Sequence, residues 1–341
     1  MTKKSIYTVS VCISVHNTER LLRRCLDSVV SQTLKNIEVI LVNNGSTDSS
    51  LDIMLEYKKN YPDIIKVYSQ EDMGLAQGRQ TGINNATGEY ITFLDADDYV
   101  KNDAYEKMYT SAVEHKVDIV ECRTSRDDEI IESKYFGVHE THDLLKDYFL
   151  YSRIPPMMWL RLYRRNLFES PVLPDMYVNN EDIFAFPCLL YKAKNIFFLK
   201  EQLHYYTTDN ENSVMNVVKN KIINEERVIS NRVKTLSVIE HIKDKIGNEN
   251  IEKYFLSEFK TYTARVILDF CLNNFKSLKP RDSVNIAFKN TGANLSEVRQ
   301  CFKGIRYNNK LIQKSINTLG LRKTIALYRF SMKIRSSLQF G

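Results

Sequence analysis

Tyr90-Ile91-Thr92-Phe93-Leu94-Asp95-Ala96-Asp97-Asp98 runs from apolar residues straight into three carboxylates. The apolar half reads as a buried strand. The acidic half then sits at that strand's carboxyl end, the edge at which open α/β sheets bind ligands. Asp95 and Asp97 are two positions apart, so a backbone that stays extended through them puts both side chains on one side, where they can share a hard cation. A divalent metal bridging a phosphate is the chemistry this suggests. A lone D-x-D that merely ends a strand in solvent is the commoner case, and the rest of the chain has to decide between the two.

The segments before this stretch alternate strand and helix, as a parallel sheet requires. Thr8 to Val15 reads as a buried strand, Glu19 to Gln32 as a helix with Leu22, Leu26, Val29 and Val30 inward, and Glu38 to Val42 as a second strand. Asn43-Asn44-Gly45-Ser46-Thr47-Asp48 is a turn feeding a helix that buries Leu51, Met54 and Leu55. Ile64 to Tyr68 gives a strand, Gly74 to Ala86 a helix, and Glu89 to Leu94 the strand that carries the acids. The expected class is α/β with a mostly parallel central sheet. Phosphates must be held without a G-x-G-x-x-G or P-loop motif, since neither is present. Further on, Ala104 to Glu114 reads as a helix, Asp118 to Cys122 as a strand, and Arg123 to Glu132 as a charged loop or edge. Trp159 to Leu167, Asn179 to Leu190 and Ile196 to Tyr206 are further apolar segments. From Val217 apolar residues recur at three- and four-residue intervals, most clearly in Lys221 to Lys245 and Ile251 to Phe275. Two domains are expected, residues 1–215 and a helical C-terminal region at 216–341.

Composition removes several classes. With 341 residues, 43% hydrophobic, 7 Pro and 11 Gly, the chain is globular and not low-complexity. Six cysteines (12, 25, 122, 188, 271, 301) form no C-x-x-C pair, which fits reduced core thiols, and a cytosolic compartment is expected. No apolar run reaches the ~18 residues of a membrane span and no signal-peptide core is seen, so a soluble or peripheral protein is expected. The net charge is +6, yet residues 301–341 hold nine Lys or Arg and no Asp or Glu. In that tail Leu321, Ile325, Tyr328 and Met332 recur at helical spacing among Arg322, Lys323, Arg329, Lys333 and Arg335. Two readings stay open: a basic amphipathic helix on the anionic inner face of the plasma membrane, or a helix packed on its own domain with a solvated basic side. Nucleic acid is not expected, because no recognised module accompanies the charge.

Ser10-Val11-Cys12-Ile13-Ser14-Val15-His16-Asn17-Thr18-Glu19, then Cys25-Leu26-Asp27-Ser28-Val29 with Ser31-Gln32-Thr33, then Glu38-Val39-Ile40-Leu41-Val42-Asn43-Asn44-Gly45-Ser46-Thr47-Asp48 resemble the successive blocks of family 2 glycosyltransferases of the GT-A fold. Gly74-Leu75 with Arg79 and Gly82, Ala86-Thr87-Gly88-Glu89-Tyr90-Ile91 with the D-x-D cluster, and the pair Glu181-Asp182 continue the resemblance. It covers residues 8 to about 213. What it implies is an inverting, metal-dependent hexosyl- or N-acetylhexosaminyl-transferase of the bacterial surface-polysaccharide type, taking a UDP-sugar donor and a glycan or lipid-linked acceptor.

By that resemblance Asp97 and Asp95 coordinate Mn²⁺ or Mg²⁺ on the donor pyrophosphate, Asp95 reaching the ribose or a metal-bound water, and Ala96 lines the donor. Asp98 is read as orienting the loop. Asp182 is expected to be the base that takes the acceptor's proton, with Glu181 positioning base or acceptor. The competing reading is that the pair caps a helix from Ile183 to Leu190. Ser14, His16 and Glu19 correspond to positions lining uracil and ribose, and Asn44 to the residue that accepts the uracil N3 proton. The chain departs from the family here, which commonly has Pro and Tyr for Ser14 and His16, Asp for Asn44, and Asn for Asp72. An amide oxygen accepts that proton less strongly than a carboxylate. Arg79 is expected to complement phosphate or base through its planar donors. Trp159 and Arg161 resemble a block beside the acceptor, the indole either stacking on a sugar or filling the core. Leu203-His204-Tyr205-Tyr206 with Ser213 resembles a segment folding over the diphosphate, His204 donating to phosphate or joining the metal shell, and Thr207 stands near the place of a family Arg. The C-terminal region is left to acceptor handling, membrane binding or self-association as a homo-oligomer.

Three rivals remain. A nucleotidyltransferase making sugar nucleotides should carry a glycine- and basic-rich phosphate loop, which Ser10 to Glu19 is not. A non-catalytic sugar-nucleotide or polysaccharide-binding module should have lost at least one of Asp95, Asp97 and Asp182. A basic scaffold acting through residues 301–341 leaves the acids unexplained.

Overall fold

The chain divides into two compact units, Met1–His142 with Pro156–Ile222, and Asp143–Pro155 with Ile223–Gly341. The structure, a computed structural model, describes residues 7–273 apart from 127–128, 132, 152–153, 179, 209 and 211–232, together with 286, 287, 289 and 291. Ser213, residues 221–232 and the basic tail with its amphipathic repeat lie outside the described residues.

The first unit is built on one sheet. Its strands are β1 Val9–Val15, β2 Ile37–Asn44, β3 Ile65–Gln70, β4 Tyr90–Phe93, β5 Tyr99–Val100, β6 Ile119–Arg126, β7 Glu129–Ile130, β8 Gly137–Glu140, β9 Arg161–Arg164 and β10 Asn195–Tyr206. They lie in the order β3-β2-β1-β4-β9-β6-β10-β5, with β7 on β6 and β8 on β10. The long ladders β1–β2, β2–β3 and β6–β10, and also β1–β4, are parallel. The antiparallel ladders of β9 on β4 and β6, and of β5, β7 and β8, are shorter. This is the mostly parallel α/β sheet expected.

β1 and β2 are buried almost throughout because helices cover the sheet on both faces. The helix α1 Glu19–Val30 turns Leu22, Cys25, Leu26 and Val29 inward, and α2 Ser50–Asn60 turns in Ile53, Met54 and Tyr57, both at the three- and four-residue spacing of an apolar stripe. The helix α3 Leu75–Asn85 is held differently. A Cβ on Gly78 would run into Ser14 Oγ, and one on Gly82 would come within 3.0 Å of Cys12 Cβ. These glycines let the α3 backbone lie directly on β1, which brings the intervening Arg79 inward.

The turn between α3 and β4 is pinned from below by Glu38 on β2. Its Oε1 accepts from Ser10 Oγ (2.6 Å), Thr87 N (2.6 Å) and Gly88 N (3.1 Å), and its Oε2 pairs with Lys66 Nζ at 2.6 Å. Burial opposes charge on this carboxylate, but hydrogen bonds from Lys66, Ser10 and Thr87 outweigh it and hold its pKa below the ordinary value.

Three stretches differ from the sequence reading. β4 stops at Phe93, and Asp98 N donates to Asp95 O at 3.0 Å, so the acids lie on a tight turn and not on extended backbone. β6 runs on to Arg126, through the first residues of the stretch read as a charged loop or edge. Between it and β9 the chain forms β8 and the helix α5 Thr141–Tyr151, in a stretch where the sequence suggested no element. The other helices wholly within the first unit are α4 Ala104–Glu114 and α6 Asp182–Lys192, while α5 from Asp143 on belongs to the second.

The described part of the second unit is helical: α7 Val238–Ile246, α8 Asn248–Tyr254 and α9 Leu256–Asn273. Phe149 packs with Phe255, Phe259 and Tyr262 at ring separations of 6.0, 5.3 and 5.4 Å. No helix among the described residues is long and apolar enough to cross a membrane.

Candidate active site

Because β1, β2 and β4 are parallel, the loops at their carboxyl ends share one edge. Gly45, at φ +72°, takes the left-handed turn after β2, and a Cβ there would come within 2.6 Å of Asp72 N. Polar groups tie the first two loops together: Asn17 Oδ1 accepts from Thr47 N (2.7 Å), Ser50 Oγ from Thr18 N (3.0 Å), Asp48 Oδ2 from Glu19 N (3.1 Å), and Glu19 Oε2 from Ser49 N (2.8 Å). The Glu19 carboxylate, expected at the nucleotide, is therefore engaged at the start of α2. Ser14 Oγ faces Gly78 on α3. His16 is exposed, and its Nδ1 lies 2.8 Å from Asn44 O.

Asn44 is buried and its amide is committed. Oδ1 accepts from Gln70 Nε2 (2.8 Å) and Met73 N (3.4 Å), while Nδ2 donates to Asp72 Oδ1 (3.1 Å). A backbone N–H donates on one side and a carboxylate accepts on the other, which orients this amide unambiguously. The oxygen expected to accept the uracil proton is thus occupied. The exposed carboxylate next to it is Asp72, whose Oδ1 also accepts from Gly74 N at 3.0 Å.

The acidic turn presents Asp95 and Asp97 with the buried Ala96 between them. Asp97 Oδ2 accepts from Asn210 Nδ2 at 2.6 Å. Burial, and then the neighbouring Asp95, push the Asp97 pKa up. Asp98 points inward, its Oδ1 accepting from Thr207 N at 2.7 Å and its Oδ2 lying 3.5 Å from His204 Nε2. Sequence reasoning passed over Arg24, which reaches the turn from α1. Its Nη2 donates to Asp97 O (3.1 Å) and Thr207 Oγ1 (2.6 Å), and its guanidinium lies over the Tyr99 ring. An arginine thus stands against Thr207, near the place where the family Arg was missed, but no local pattern on α1 marks it.

Arg79 is the centre of the site. It is 3% exposed, and Nη2 donates to Asp95 Oδ1 at 2.8 Å while Nη1 donates to Asp182 Oδ1 at 2.7 Å and to Glu181 Oε1. The fork expected to bind phosphate or base is spent on three carboxylates. Asp182 is the first residue of α6 and Glu181 its N-cap, so helix geometry places both acids where the dipole favours negative charge. Glu181 is buried, whereas the Asp182 side chain keeps 18% exposure. Met158 N also donates to Asp182 Oδ1, at 3.3 Å. Burial raises the pKa of both acids, with Arg79 opposing the rise and Asp95 adding to it.

The residues expected around acceptor and diphosphate lie deeper. His204 is buried, its ring stacked on Trp159 at 4.3 Å and its Nδ1 3.0 Å from Thr124 Oγ1. Burial lowers its pKa to about 3, so it is a neutral brace behind Asp98 and not a cation facing phosphate. Trp159 is buried, and the face stacked on His204 is closed to a sugar. Arg161, expected at the acceptor, is 0% exposed. It pairs with Glu121 at 2.5 Å, lies 3.9 Å from the Phe186 ring centroid and donates to Met157 O at 2.6 Å, so burial has made it a structural tie.

The donor set fits a divalent ion. Asp97 makes no ion pair among the described residues, although it is half-buried beside Asp95. A carboxylate whose pKa is raised by burial and by a second hard carboxylate beside it is what a Mg²⁺ or Mn²⁺ ion neutralises. Among the described residues no three His, Cys, Asp or Glu are grouped to hold an ion by themselves. One or two carboxylates completed by substrate phosphates is the usual arrangement for magnesium.

Residues 10–169 match the model of Glycosyl transferase family 2. The chain is 32% identical over 217 residues to glycosyltransferase GlyA of Streptococcus pneumoniae serotype 4, covering 58% of this chain and 30% of that protein. It is 32% identical over 209 residues to the putative glycosyltransferase EpsH of Bacillus subtilis, covering 58% of this chain and 60% of that one. It therefore spans less than two thirds of the length of either relative. Among solved structures, S. aureus TarS 1–349 in complex with UDP-GlcNAc superposes with a TM-score of 0.69 at 18% identity, covering 95% of this chain and 92% of that one. At that identity the likeness is one of fold, the GT-A fold.

Proposed function

Because the chain belongs through residues 10–169 to glycosyl transferase family 2, we propose that it transfers a hexose or N-acetylhexosamine from a UDP-sugar to a hydroxyl of a glycan or lipid-linked acceptor, with inversion. The observation that carries this reading is the meeting of two acidic groups, the turn after β4 and the head of α6, on one buried guanidinium. The first group suits a nucleotide diphosphate and the second suits a hydroxyl to be deprotonated. Asp97 and Asp95 would hold Mg²⁺ or Mn²⁺, which supplies neutralisation of charge on the departing diphosphate. Asp72, beside the committed amide of Asn44, is the carboxylate that accepts the uracil N3 proton, with His16 and Ser14 at the same edge. Asp182 receives the acceptor's proton as the acceptor oxygen bonds the anomeric carbon. The acceptor is taken to be a bacterial surface glycan, and the basic tail supports assembly at the inner face of the plasma membrane.

Calorimetric titration with UDP, CDP, GDP and ADP, each with and without Mn²⁺, followed by UDP-GlcNAc, tests this. Metal-dependent UDP binding is expected. Asp97→Asn should lose it, while Asp182→Asn should retain it yet abolish sugar transfer. Absence of binding by every nucleotide, or equal loss of binding in both variants, would overturn the assignment.

A further inference from the structure

We propose that Arg79 is a positioning residue for the base: it holds Asp182 through Oδ1 and leaves Oδ2 as the atom that receives the acceptor's proton. Through its second nitrogen it also keeps that base in register with the donor-side Asp95. This deepens the transferase reading and rests on it.

The geometry is specific to one oxygen. Asp182 Oδ1 accepts from Arg79 Nη1 at 2.7 Å and from Met158 N at 3.3 Å. Oδ2 has no hydrogen-bond partner among the described residues, and the side chain keeps 18% exposure. One oxygen is thus fixed by a charged fork and a backbone N–H, and the other is left to the site. The same guanidinium binds Asp95 Oδ1 at 2.8 Å and Glu181 Oε1, and at 3% exposure it is no solvent-facing phosphate ligand. Its place follows from the glycines either side: Gly78 and Gly82 bring the α3 backbone onto β1, and a rigid planar side chain then spans to α6 and to the turn after β4.

In the step itself, the acceptor O–H bond breaks as its oxygen bonds the anomeric carbon. The bond from that carbon to the diphosphate oxygen breaks with its electron pair on the diphosphate, and the proton passes to Asp182 Oδ2. The groups facing Asp182 are Arg79 from α3, Glu181 beside it, Asp95 from the turn after β4 and Tyr163 on β9. Arg79 is the only cation among these four. Removing it should raise the Asp182 pKa and shift the acid limb of the rate to higher pH, a change that loosened packing alone would not produce.

The test uses the full chain and UDP-GlcNAc with water as acceptor, following UDP release between pH 5 and 9 alongside calorimetric UDP binding with Mn²⁺. Arg79→Gln is expected to bind UDP within about threefold of wild type and to release UDP about 10- to 100-fold more slowly, part of the ~10²–10⁴ typical of general-base catalysis. Its acid limb should lie at higher pH. Arg79→Lys, which keeps the charge but not the fork, should recover the limb position and only part of the rate; it also decides the matter if the Gln variant does not fold. A wild-type rate and limb in either variant overturns the proposal. So does loss of UDP binding matching that of Asp97→Asn, which would make Arg79 a donor ligand. A wild-type chain that neither binds UDP nor releases it from UDP-GlcNAc refutes the transferase reading instead.

Discussion

Asp72 and Asn44 show how little a single residue's identity says without its partners. Asn44 stands where an acid is common, but its oxygen already accepts from Gln70 and Met73, and the negative charge has moved to Asp72, to which its amide donates. Asp72→Asn is therefore expected to weaken UDP binding about tenfold, the order of one hydrogen bond to a charged group, and to narrow the preference for UDP over CDP. Calorimetry with both nucleotides reads this, and an unchanged UDP affinity would return the role to Asn44. The buried Arg161 and Glu121 make a different prediction. Arg161→Met leaves Glu121 buried without its cation and should cost about 3–5 kcal/mol of stability. Adding Glu121→Gln should recover much of that in thermal unfolding, and a double variant no more stable than the single would count against the pair.

At the scale of elements, the contact of α3 with β1 governs the site. Gly78→Ala would push its Cβ into Ser14 Oγ and move the helix that carries Arg79. We expect about 1–3 kcal/mol of destabilisation, as for overpacked cores, with a loss of UDP release larger than any loss of UDP binding. If the variant melts and turns over as wild type does, the close packing does not position Arg79. The clasp of Glu38 on the α3–β4 turn adds a pH dependence. Its folded-state pKa is depressed, so its contribution is present above the unfolded carboxylate value and lost as pH falls through the folded one. Thermal midpoints measured from pH 7 down to pH 3 should fall less steeply for Glu38→Gln than for wild type, from a lower start. Parallel slopes would show that the clasp does not titrate.

For the whole molecule, charge is divided unevenly. Nine Lys or Arg and no acids occupy residues 301–341, so the basic excess is a property of the tail and not of the catalytic sheet. If that tail serves a membrane, the full chain should cosediment with vesicles containing anionic lipid at low salt and be released as salt screens the charges. Deleting residues 317–341 should abolish this while leaving UDP binding intact. Sedimentation that survives the deletion would assign the tail to packing.

The sequence by itself determined the alternation of strand and helix through β4, the class of the sheet and the family, because these rest on local periodicity and on short blocks in register. β1, β2, α1 and α3 fall within a few residues of where the apolar pattern puts them. The acids at Asp95, Asp97, Glu181 and Asp182 were legible for the same reason. Only the tertiary structure decided what each one touches. The Arg79 fork shared among three acids, the turning inward of Asp98, His204 and Arg161, and the hydrogen bond from the Asn44 amide to Asp72 all depend on residues far apart in the chain. Such meetings leave no periodic trace. A buried ion pair is set by which backbones approach closely enough, and here that approach depends on glycines whose role appears only once β1 lies beneath α3.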